Sequence, residues 1–246
     1  MIISFASQKG GSGKTASAVN IGAALHRSGM RVLYIDLDQQ ACLTQQLAGR
    51  VTGKTTSDIL QLRATIDQAT TQTAQGTLVP ADGRLAGITS KGAVAALQTA
   101  LKAVKTQYDA ILLDCPPQLG AVTVAALAAS DGVIIPLPPD LFGIAALQQI
   151  SSIIEQVQQI NTGLKVLGVL ICRFNARSNS NKFALQAITE KAAALNIPVY
   201  KTTIRNSVAV QDAMWKPGAI LDPHSGAARD YEAIAEQVIK QIRKGV

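Results

Sequence analysis

Seven consecutive residues near the start of the chain have the types and spacing of a phosphate-binding loop. The segment Lys9–Thr15 reads Lys-Gly-Gly-Ser-Gly-Lys-Thr and lies between a strand-like apolar run and a helix-like segment. The glycines let successive backbone N–H groups point at phosphate oxygens, near the positive end of the helix dipole. The ammonium of Lys14 would neutralise phosphate charge, and the Thr15 hydroxyl would ligate a Mg²⁺ ion bridging the same oxygens. The pattern predicts a nucleoside triphosphate site formed by Gly10, Gly11, Ser12, Gly13, Lys14, Thr15 and Ala16.

Carboxylates follow two further apolar runs that predict strands. Asp36 and Asp38 end the run that begins at Leu33, and strand alternation points both side chains the same way. Asp114 ends the run Ile111–Leu113. A strand end can hold a carboxylate within hydrogen-bond reach of a water molecule in line with a phosphate. The alternative is that each aspartate only caps the helix that follows it.

The early lysine of the loop narrows the class of protein. Gln8 occupies the position where the general phosphate-loop pattern has its first glycine, so the loop deviates from that pattern. Lys-Gly-Gly-x-Gly-Lys-Thr resembles the loop of the ParA/MinD/nitrogenase-iron-protein group of P-loop ATPases. The resemblance implies that ATP joins two copies in a sandwich homodimer and that Lys9 reaches a phosphate in the partner subunit. The alternative is that Lys9 is a solvated residue beside a glycine turn.

Two other segments resemble the same family. Asp36-Leu37-Asp38-Gln39-Gln40 is similar to the Asp-x-Asp-Pro-Gln motif of ParA proteins, with Gln39 in place of the proline. The resemblance implies that Asp38 orients or deprotonates the attacking water and that Asp36 lies near the metal. The run ending in Asp114-Cys115-Pro116-Pro117 resembles the family's Walker-B sequence, which implies that Asp114 holds Mg²⁺ and that Cys115 is an inert packing residue. The implied catalytic residues are Lys9, Lys14 and Asp38, and the implied metal ligands are Thr15, Asp36 and Asp114.

Adenine and DNA contacts are also implied by the resemblance. Relatives hold the adenine around the last strands, where Arg173, Phe174 and Asn206 are candidates. ParA proteins contact DNA phosphates without reading bases, and Ala176-Arg177-Ser178-Asn179 resembles a segment that carries one such arginine. The DNA-binding residues are therefore expected to be Arg177, Lys182 and Arg205, with Lys201, Lys240, Arg243 and Lys244 as further candidates. Any one of these cations could instead be a solvated surface charge.

Composition is compatible with this reading. The chain has 246 residues with 48% hydrophobic and 16% charged, which favours one globular domain spanning residues 1–246. The net charge of +7 suggests a polyanionic partner, although excess cations could equally serve solubility.

The start of the chain has no features of a secretory signal, and the loop begins too early for a preceding DNA-reading domain. Three dispersed cysteines and two histidines predict reduced thiols and no zinc site. We expect a cytoplasmic, nucleoid-associated protein.

The elements that would position these residues form an alternating pattern. β-branched runs predict six strands, and the segments between them predict helices. Continuous apolar strands indicate a mostly parallel sheet between two helical layers, which is the P-loop α/β fold. The strands are predicted at Ile2–Ala6, Val32–Ile35, Ala110–Leu113, Val133–Ile135, Val166–Ile171 and Val199–Thr203. Residues 49–90 predict surface elements with short helices at Ser57–Leu62 and Ala64–Ala69.

Three classes of function fit parts of the sequence. The leading hypothesis is a ParA-type partition ATPase whose ATP-bound dimer coats nonspecific DNA until a centromere-binding, ParB-like protein or an adaptor stimulates hydrolysis. The second is a MinD-like protein with an amphipathic C-terminal membrane anchor. The tail from Ile234 to Lys244 lacks Phe, Trp and Leu, so docking on the core is expected and a stable membrane anchor is not. The third is an electron donor like the nitrogenase iron protein, or a metal-cluster carrier. The sequence does not have the cysteine spacing that such a protein needs to share a cluster between subunits.

Overall fold

The computed structural model of the chain describes residues 1–218 and 220–245, apart from the side chains of Ser90 and Lys91. Within these residues, strands and helices alternate as a three-layer α/β structure. The strands are β1 (Ile2–Phe5), β2 (Val32–Asp36), β3 (Thr71–Thr73), β4 (Gly76–Val79), β5 (Ala110–Asp114), β6 (Gly132–Leu137) and β7 (Lys165–Ile171). The helices are α1 (Lys14–Arg27), α2 (Cys42–Ala48), α3 (Thr56–Leu60), α4 (Ile66–Ala69), α5 (Ser90–Val104), α6 (Ala121–Ala128), α7 (Leu141–Gln158), α8 (Asn179–Ala194), α9 (Val208–Met214) and α10 (Gly226–Lys244), with a 3-10 turn at Gly83–Gly87.

The strands form a single sheet in the order β3-β4-β2-β5-β1-β6-β7. All neighbouring pairs are parallel except β3 and β4, which form an antiparallel hairpin at one edge. Because β1, β2 and β5 lie side by side and run the same way, their carboxyl ends share one edge of the sheet. The expected mostly parallel P-loop fold is confirmed.

Alternate residues of each central strand feed two separate apolar cores. On β5, Ile111 and Leu113 pack with α5, α6 and α7 on one face, whereas Ala110 and Leu112 pack with α1 and α10 on the other. The strands are buried on both faces, as their continuous hydrophobicity predicted. Burial on both faces holds the strand ends in fixed positions.

The sixth predicted strand, Val199–Thr203, is wrong. Next to β7, the Val169 N–H donates to Pro198 O and the Tyr200 N–H donates to Val169 O, but the next bond is made only by the Ile204 N–H, beyond the segment, to Ile171 O. Within the segment there is one isolated bridge, between Val199 and Val169, and the next isolated bridge, between Arg205 and Phe174, lies beyond both the segment and β7. A continuous ladder needs bonds on alternate residues, which this stretch does not make.

The expectation of surface elements for residues 49–90 is wrong in one part. The segment supplies β3 and β4, and β4 is inside the sheet with Leu78 and Val79 fully buried. The two short helices expected there are present as α3 and α4. Gly76 makes the hairpin possible, since its φ is 126° and an added Cβ would lie 2.7 Å from Val32 O.

Among the described helices, we find none with both the length and the apolar character required to cross a bilayer.

Candidate active site

The sheet brings the three predicted acidic and basic clusters to one edge. Asp36 at the end of β2 is aligned with Asp114 at the end of β5, and Asp114 is aligned in turn with Phe5 of β1. The glycine loop follows β1 directly and leads into α1 at Lys14. The loop, the two aspartates and Lys14 therefore meet as the sequence predicted.

The loop is shaped as an anion-binding nest. Gly11 and Gly13 have φ values of 69° and 98°, and an added Cβ on Gly13 would lie 3.0 Å from Cys172 Sγ. Helix α1 starts with no side-chain cap. Apart from a tight turn at Gly10 and Gly11, the backbone N–H groups of residues 10 to 16 find no acceptor within the described chain. A run of unused backbone donors at a helix N-terminus fits the oxygens of a polyphosphate.

Asp114 and Thr15 provide a site that fits a hard divalent cation. The Thr15 hydroxyl donates to Asp114 Oδ2 at 2.6 Å, and Asp114 Oδ1 is buried without a partner among the described atoms. Burial, reinforced by the nearby Asp36 charge, raises the pKa of Asp114 to about 8. Oxygen ligands with an unsatisfied buried carboxylate are what Mg²⁺ prefers. Thr15 and Asp114 would hold Mg²⁺, which would supply positive charge that neutralises phosphate oxygens.

Lys14 lies beside this carboxylate and is itself buried. Its Nζ donates to Lys9 O at 3.1 Å. Burial lowers the pKa of Lys14, while the Asp114 charge opposes that shift. A buried ammonium with a single carbonyl acceptor is ready to receive phosphate oxygens, in line with the predicted role of Lys14.

Asp36 is held by the protein's own donors. Its Oδ2 accepts from the Thr44 N–H at 2.9 Å and from the Thr44 hydroxyl at 2.7 Å, and its Oδ1 accepts from the Asp38 N–H at 3.0 Å. Burial raises its pKa to about 6, against these hydrogen bonds. Because Thr44 is in the first turn of α2, these bonds match the helix-capping alternative, and a metal-binding role stays a prediction. Thr44 itself was missed, since no local pattern links it to Asp36.

Asp38 is buried next to the loop and lines the same cleft. Its Oδ1 accepts from the Gln40 N–H at 3.0 Å, a bond that shapes the turn leading into α2. The turn forms although Gln39 replaces the family's proline. Asp38 therefore borders the same cleft as the glycine loop, and its role in orienting water stays a prediction.

Lys9 points away from the cleft of its own chain. Its Nζ lies 2.5 Å from Asp140 Oδ2 and 5.1 Å from the centre of the Phe142 ring. It does not line the cleft that its neighbours Gly10 to Ala16 form. The early lysine is therefore at the rim of the site, held by a carboxylate at the start of α7.

The cleft beyond the loop has the size of a nucleotide site, at about 570 Å³. Of the predicted adenine contacts, Arg173 and Asn206 line it, and Phe174 is not among the lining residues. Sequence reasoning missed most of the far wall, because α9 is a helix of only seven residues that no predicted element covered. The missed lining residues include Cys42, Pro117, Ser207, Val210, Gln211, Met214 and Tyr231. Cys115 is buried outside it, and burial raises the pKa of its thiol, as expected of a packing residue.

The predicted DNA-binding cations differ in their surroundings. Arg177 precedes α8, Lys182 lies in its first turn, and both are at the surface. Arg205 instead makes a bidentate ion pair, with Nε 2.7 Å from Asp230 Oδ2 and a guanidinium nitrogen 2.8 Å from Oδ1. A DNA role for Arg205 stays a prediction that would require sharing this guanidinium with Asp230.

The fold and the site together define a P-loop nucleoside triphosphatase. A parallel sheet, a glycine nest at its edge and a Thr–Asp cation site are the parts that bind and cleave a triphosphate with Mg²⁺. Known proteins agree. The AAA domain family matches residues 1–166. Sporulation initiation inhibitor protein Soj of Bacillus subtilis is 36% identical over 249 residues, covering 96% of this chain and 97% of Soj.

Two further relatives cover nearly the whole chain. Chromosome partitioning protein ParA of Caulobacter vibrioides is 34% identical, covering 98% of this chain and 95% of its own. The crystal structure of cobyrinic acid a,c-diamide synthase from Mycobacterium smegmatis with bound ADP and magnesium has a TM-score of 0.87 and 30% identity, over 100% of this chain and 96% of that one. A second structure of that protein holds an ATP analogue and magnesium. The chain belongs to the Soj/ParA family of ATPases, and it hydrolyses ATP with Mg²⁺.

Proposed function

We propose that this chain is a partition ATPase that positions cargo on DNA. Two copies sandwich ATP and Mg²⁺, and the dimer binds DNA without regard to sequence. A centromere-binding, ParB-like protein or an adaptor then stimulates hydrolysis and releases the dimer. The names of Soj and ParA relatives support a role in partitioning, and the net charge of +7 supports a polyanionic partner.

The position of Lys9 carries the proposal. A lysine that served only its own nucleotide would line its own cleft, as Lys14 does. Lys9 lies at the rim with 28% of its side chain exposed, on the side of the loop that a second copy could face. An ammonium in that place can reach a phosphate bound to another subunit. Each copy would then complete the other's site, which ties dimerisation to ATP.

Within the dimer, each residue of the edge has one task. The N–H nest and Lys14 bind the β- and γ-phosphates, and Thr15 and Asp114 hold the magnesium ion. Asp38 orients the attacking water or accepts its proton, since it is a buried carboxylate on the lining of the cleft. One carboxylate without a second base gives weak intrinsic hydrolysis, which leaves room for stimulation by the partner.

DNA binding would use surface cations at the same edge. Arg177 and Lys182 lie where the chain leaves β7, whose carboxyl end shares the nucleotide edge. A dimer doubles the number of such cations on one surface. Phosphate contacts alone give little sequence preference and a steep dependence on salt. Binding of this kind would associate the protein with the nucleoid in the cytoplasm.

The membrane-anchored alternative loses its main support at α10. Its apolar residues Tyr231, Ile234 and Val238 are buried in the core shared with α1. The expected docking of this helix on the core is confirmed. An apolar stripe that is already buried is not available to a bilayer unless the helix detaches.

Light scattering in ADP and in ATP tests the proposal, with DNA binding measured on the same samples. We expect ATP to produce a DNA-binding dimer of the wild type and a longer-lived one of Asp38→Ala, because hydrolysis is slowed. Lys14→Ala should remain monomeric and bind DNA weakly. Asp67→Ala, which removes an exposed carboxylate on α4, is the matched control and should behave as wild type. Equal DNA binding without nucleotide would contradict the proposal.

A further inference from the structure

The carboxylate of Asp140 has two separate jobs at the start of α7. Its Oδ1 accepts a hydrogen bond from the Gly143 N–H at 2.8 Å, which caps the helix. Its Oδ2 accepts from Lys9 Nζ at 2.5 Å. One carboxylate therefore connects the first turn of an 18-residue helix to the early lysine of the phosphate loop.

This carboxylate is a rigid acceptor. Helix α7 is anchored by Leu147, Ile150 and Ile154, all buried in the core. The turn before the helix is tight, because an added Cβ on Gly143 would collide with Pro138 O. Because the Asp140 side chain is already ordered as a helix cap, it loses little conformational entropy when it binds the Lys9 ammonium.

The surroundings of the pair mark it as part of a surface that becomes covered. Leu141 and Phe142 follow Asp140 directly and are 82% and 72% exposed. The Phe142 ring also lies under the Lys9 ammonium, at a distance typical of a cation–π contact. Lys9 is thus held by a carboxylate and an aromatic ring on the face from which it would have to extend toward a second copy.

We propose that Asp140 is a positioning residue that holds Lys9 in the nucleotide-free chain and sets the ATP concentration at which two copies join. The inference rests on the proposed ATP-dependent dimer. Before Lys9 can extend to a phosphate of the partner's nucleotide, its ammonium must leave Asp140 and the Phe142 ring. On dimerisation, the Lys9 ammonium then exchanges the Asp140 carboxylate for a phosphate of the partner's nucleotide. The stronger its contact with Asp140, the less favourable is this exchange.

Asp140→Asn is the variant that isolates this role. The asparagine side-chain oxygen can still accept from the Gly143 N–H, since Asn is as good an N-cap as Asp, but it has no charge to hold Lys9. The matched control is Asp212→Asn, which removes the same charge from an exposed position on α9. Thermal unfolding of both variants checks that α7 remains in place.

Two measurements read out the contact and its consequence. In nucleotide-free protein, mass spectrometry follows acetylation of Lys9 by an N-hydroxysuccinimide ester, with the exposed Lys182 and Lys244 as internal references. Light scattering then gives the ATP concentration at half-dimerisation. For Asp140→Asn we expect Lys9 to react about two- to fivefold faster and half-dimerisation to need about two- to fivefold less ATP, as removal of a partly exposed ion pair predicts. Asp212→Asn should change neither.

Each contrary outcome has one meaning. Unchanged Lys9 reactivity in Asp140→Asn overturns the contact, and an unchanged or higher ATP requirement overturns its role in dimerisation. Both results leave the proposed function intact. If the wild type stays monomeric at saturating ATP, the proposed function is wrong and the threshold fails with it, whatever the reactivity of Lys9 shows.

Discussion

Gly13 illustrates how one missing side chain shapes the phosphate nest. Its φ of 98° disfavours any L-residue, and the space beside it is filled by Cys172 Sγ and Cβ at 3.0 and 3.1 Å from a would-be Cβ. The fully buried Ser17 also lies within 4 Å of that position. The loop can therefore neither rotate nor move away without disturbing the start of α1. Both the backbone conformation and the packing require glycine here.

We predict that Gly13→Ala abolishes measurable ATP binding and lowers the free energy of unfolding by about 2–4 kcal/mol, the sum of backbone strain and overpacking. Gly29→Ala is the matched control, with a similar φ of 88° and no atom within 4 Å of its added Cβ. It should cost about 1–2 kcal/mol from backbone strain alone and leave ATP binding intact. Isothermal titration with ATP and thermal unfolding measure both effects. Equal losses in the two variants would show that packing against Cys172 is unimportant.

The two buried carboxyl groups make the protein less stable as pH rises. This is the opposite of the effect of a carboxyl group whose pKa is lowered on folding. The pKa of Asp36 is raised to about 6 and that of Asp114 to about 8, chiefly by burial. An unfolded aspartate has a pKa of about 3.9. The folded chain therefore binds these protons more tightly. The stability they give is fully present below about pH 3.9 and is lost as pH rises from there to about 6 for Asp36 and to about 8 for Asp114.

For the magnesium-free protein we therefore predict a melting temperature that falls between about pH 4, where unfolded aspartates ionise, and about pH 8, the higher of the two raised pKa values. Asp114→Asn keeps a neutral side chain at every pH, so it should flatten the upper half of this decline. At the top of that window it should be more stable than wild type by about 1.4 kcal/mol for each unit by which the Asp114 pKa is raised, while binding Mg²⁺-ATP poorly. Asp67→Asn, at an exposed site, should follow wild type at every pH. Parallel curves for wild type and Asp114→Asn would contradict the assignment of the raised pKa.

The site residues that could be predicted from the sequence are those that belong to short motifs. Lys14, Thr15 and Asp114 belong to short motifs, and the structure brings them together with a 2.6 Å bond between Thr15 and Asp114. Thr44 and Asp140 were not predicted to contact Asp36 and Lys9. Asp140 is 131 residues from Lys9, and its contact depends on where α7 begins in three dimensions. Only the fold determines such contacts.

Among the elements, the strands with continuous β-branched runs were predictable and the edge hairpin was not. Strand β4 is Gly-Thr-Leu-Val and β3 is Thr-Gln-Thr, so neither has the apolar run that marks a central strand. β4 forms because β2 offers it a free edge and buries Leu78 between the layers. Tertiary context overrides a weak local signal here, as it also removes the strand predicted at Val199–Thr203.

Helix α2 was missed in the same way, and its position depends on Thr44. The Thr44 hydroxyl donates to Asp36 Oδ2 at 2.7 Å and accepts from the Ala81 N–H at 2.9 Å. One buried hydroxyl thus connects α2 to the end of β2 and to the chain just beyond β4. The segment 37–41, which includes Asp38, connects β2 to α2, so its position depends on the contact between Asp36 and Thr44.

We predict that Thr44→Val lowers the free energy of unfolding by about 1–3 kcal/mol, because it leaves the Ala81 N–H and one Asp36 oxygen short of a partner. ATP hydrolysis should fall more than ATP binding, since Asp38 loses its support while the glycine nest does not. Thr189→Val removes an exposed hydroxyl on α8 that bonds only to Leu185 O, and should change stability by less than about 0.5 kcal/mol. Urea unfolding and a phosphate-release assay measure the two effects. A drop in ATP binding as large as the drop in hydrolysis would argue against this role of Thr44.

For the molecule as a whole, the order of the strands decides which cations can act together. The parallel strands place the phosphate loop, Arg177 and Lys182 on the edge where the strands end. Lys102 and Lys105 lie at the opposite end, in a groove with the first residue of β1, and Lys105 is paired with Asp131. Cations therefore lie at both ends of the sheet, and the net charge of +7 alone could not say which end would face DNA. Variants of Arg177 at the nucleotide edge and of Lys102 at the opposite end of the sheet can therefore be compared directly, since each removes one positive charge.

We predict that Arg177→Ala weakens DNA binding by the ATP-bound dimer for every sequence tried. It should also reduce the slope of log affinity against log salt by about one for each DNA phosphate that the arginine neutralises. Lys102→Ala changes the net charge equally at the far end of the sheet and should leave that slope unchanged. Arg205→Ala should act mainly on stability, because it leaves the largely buried Asp230 carboxylate without its bidentate partner. Fluorescence anisotropy with two unrelated duplexes, from about 50 to about 300 mM salt, distinguishes these outcomes. If Lys102→Ala lowered the slope as much as Arg177→Ala, DNA attraction would come from overall charge, and the nucleotide edge would have no special part in it.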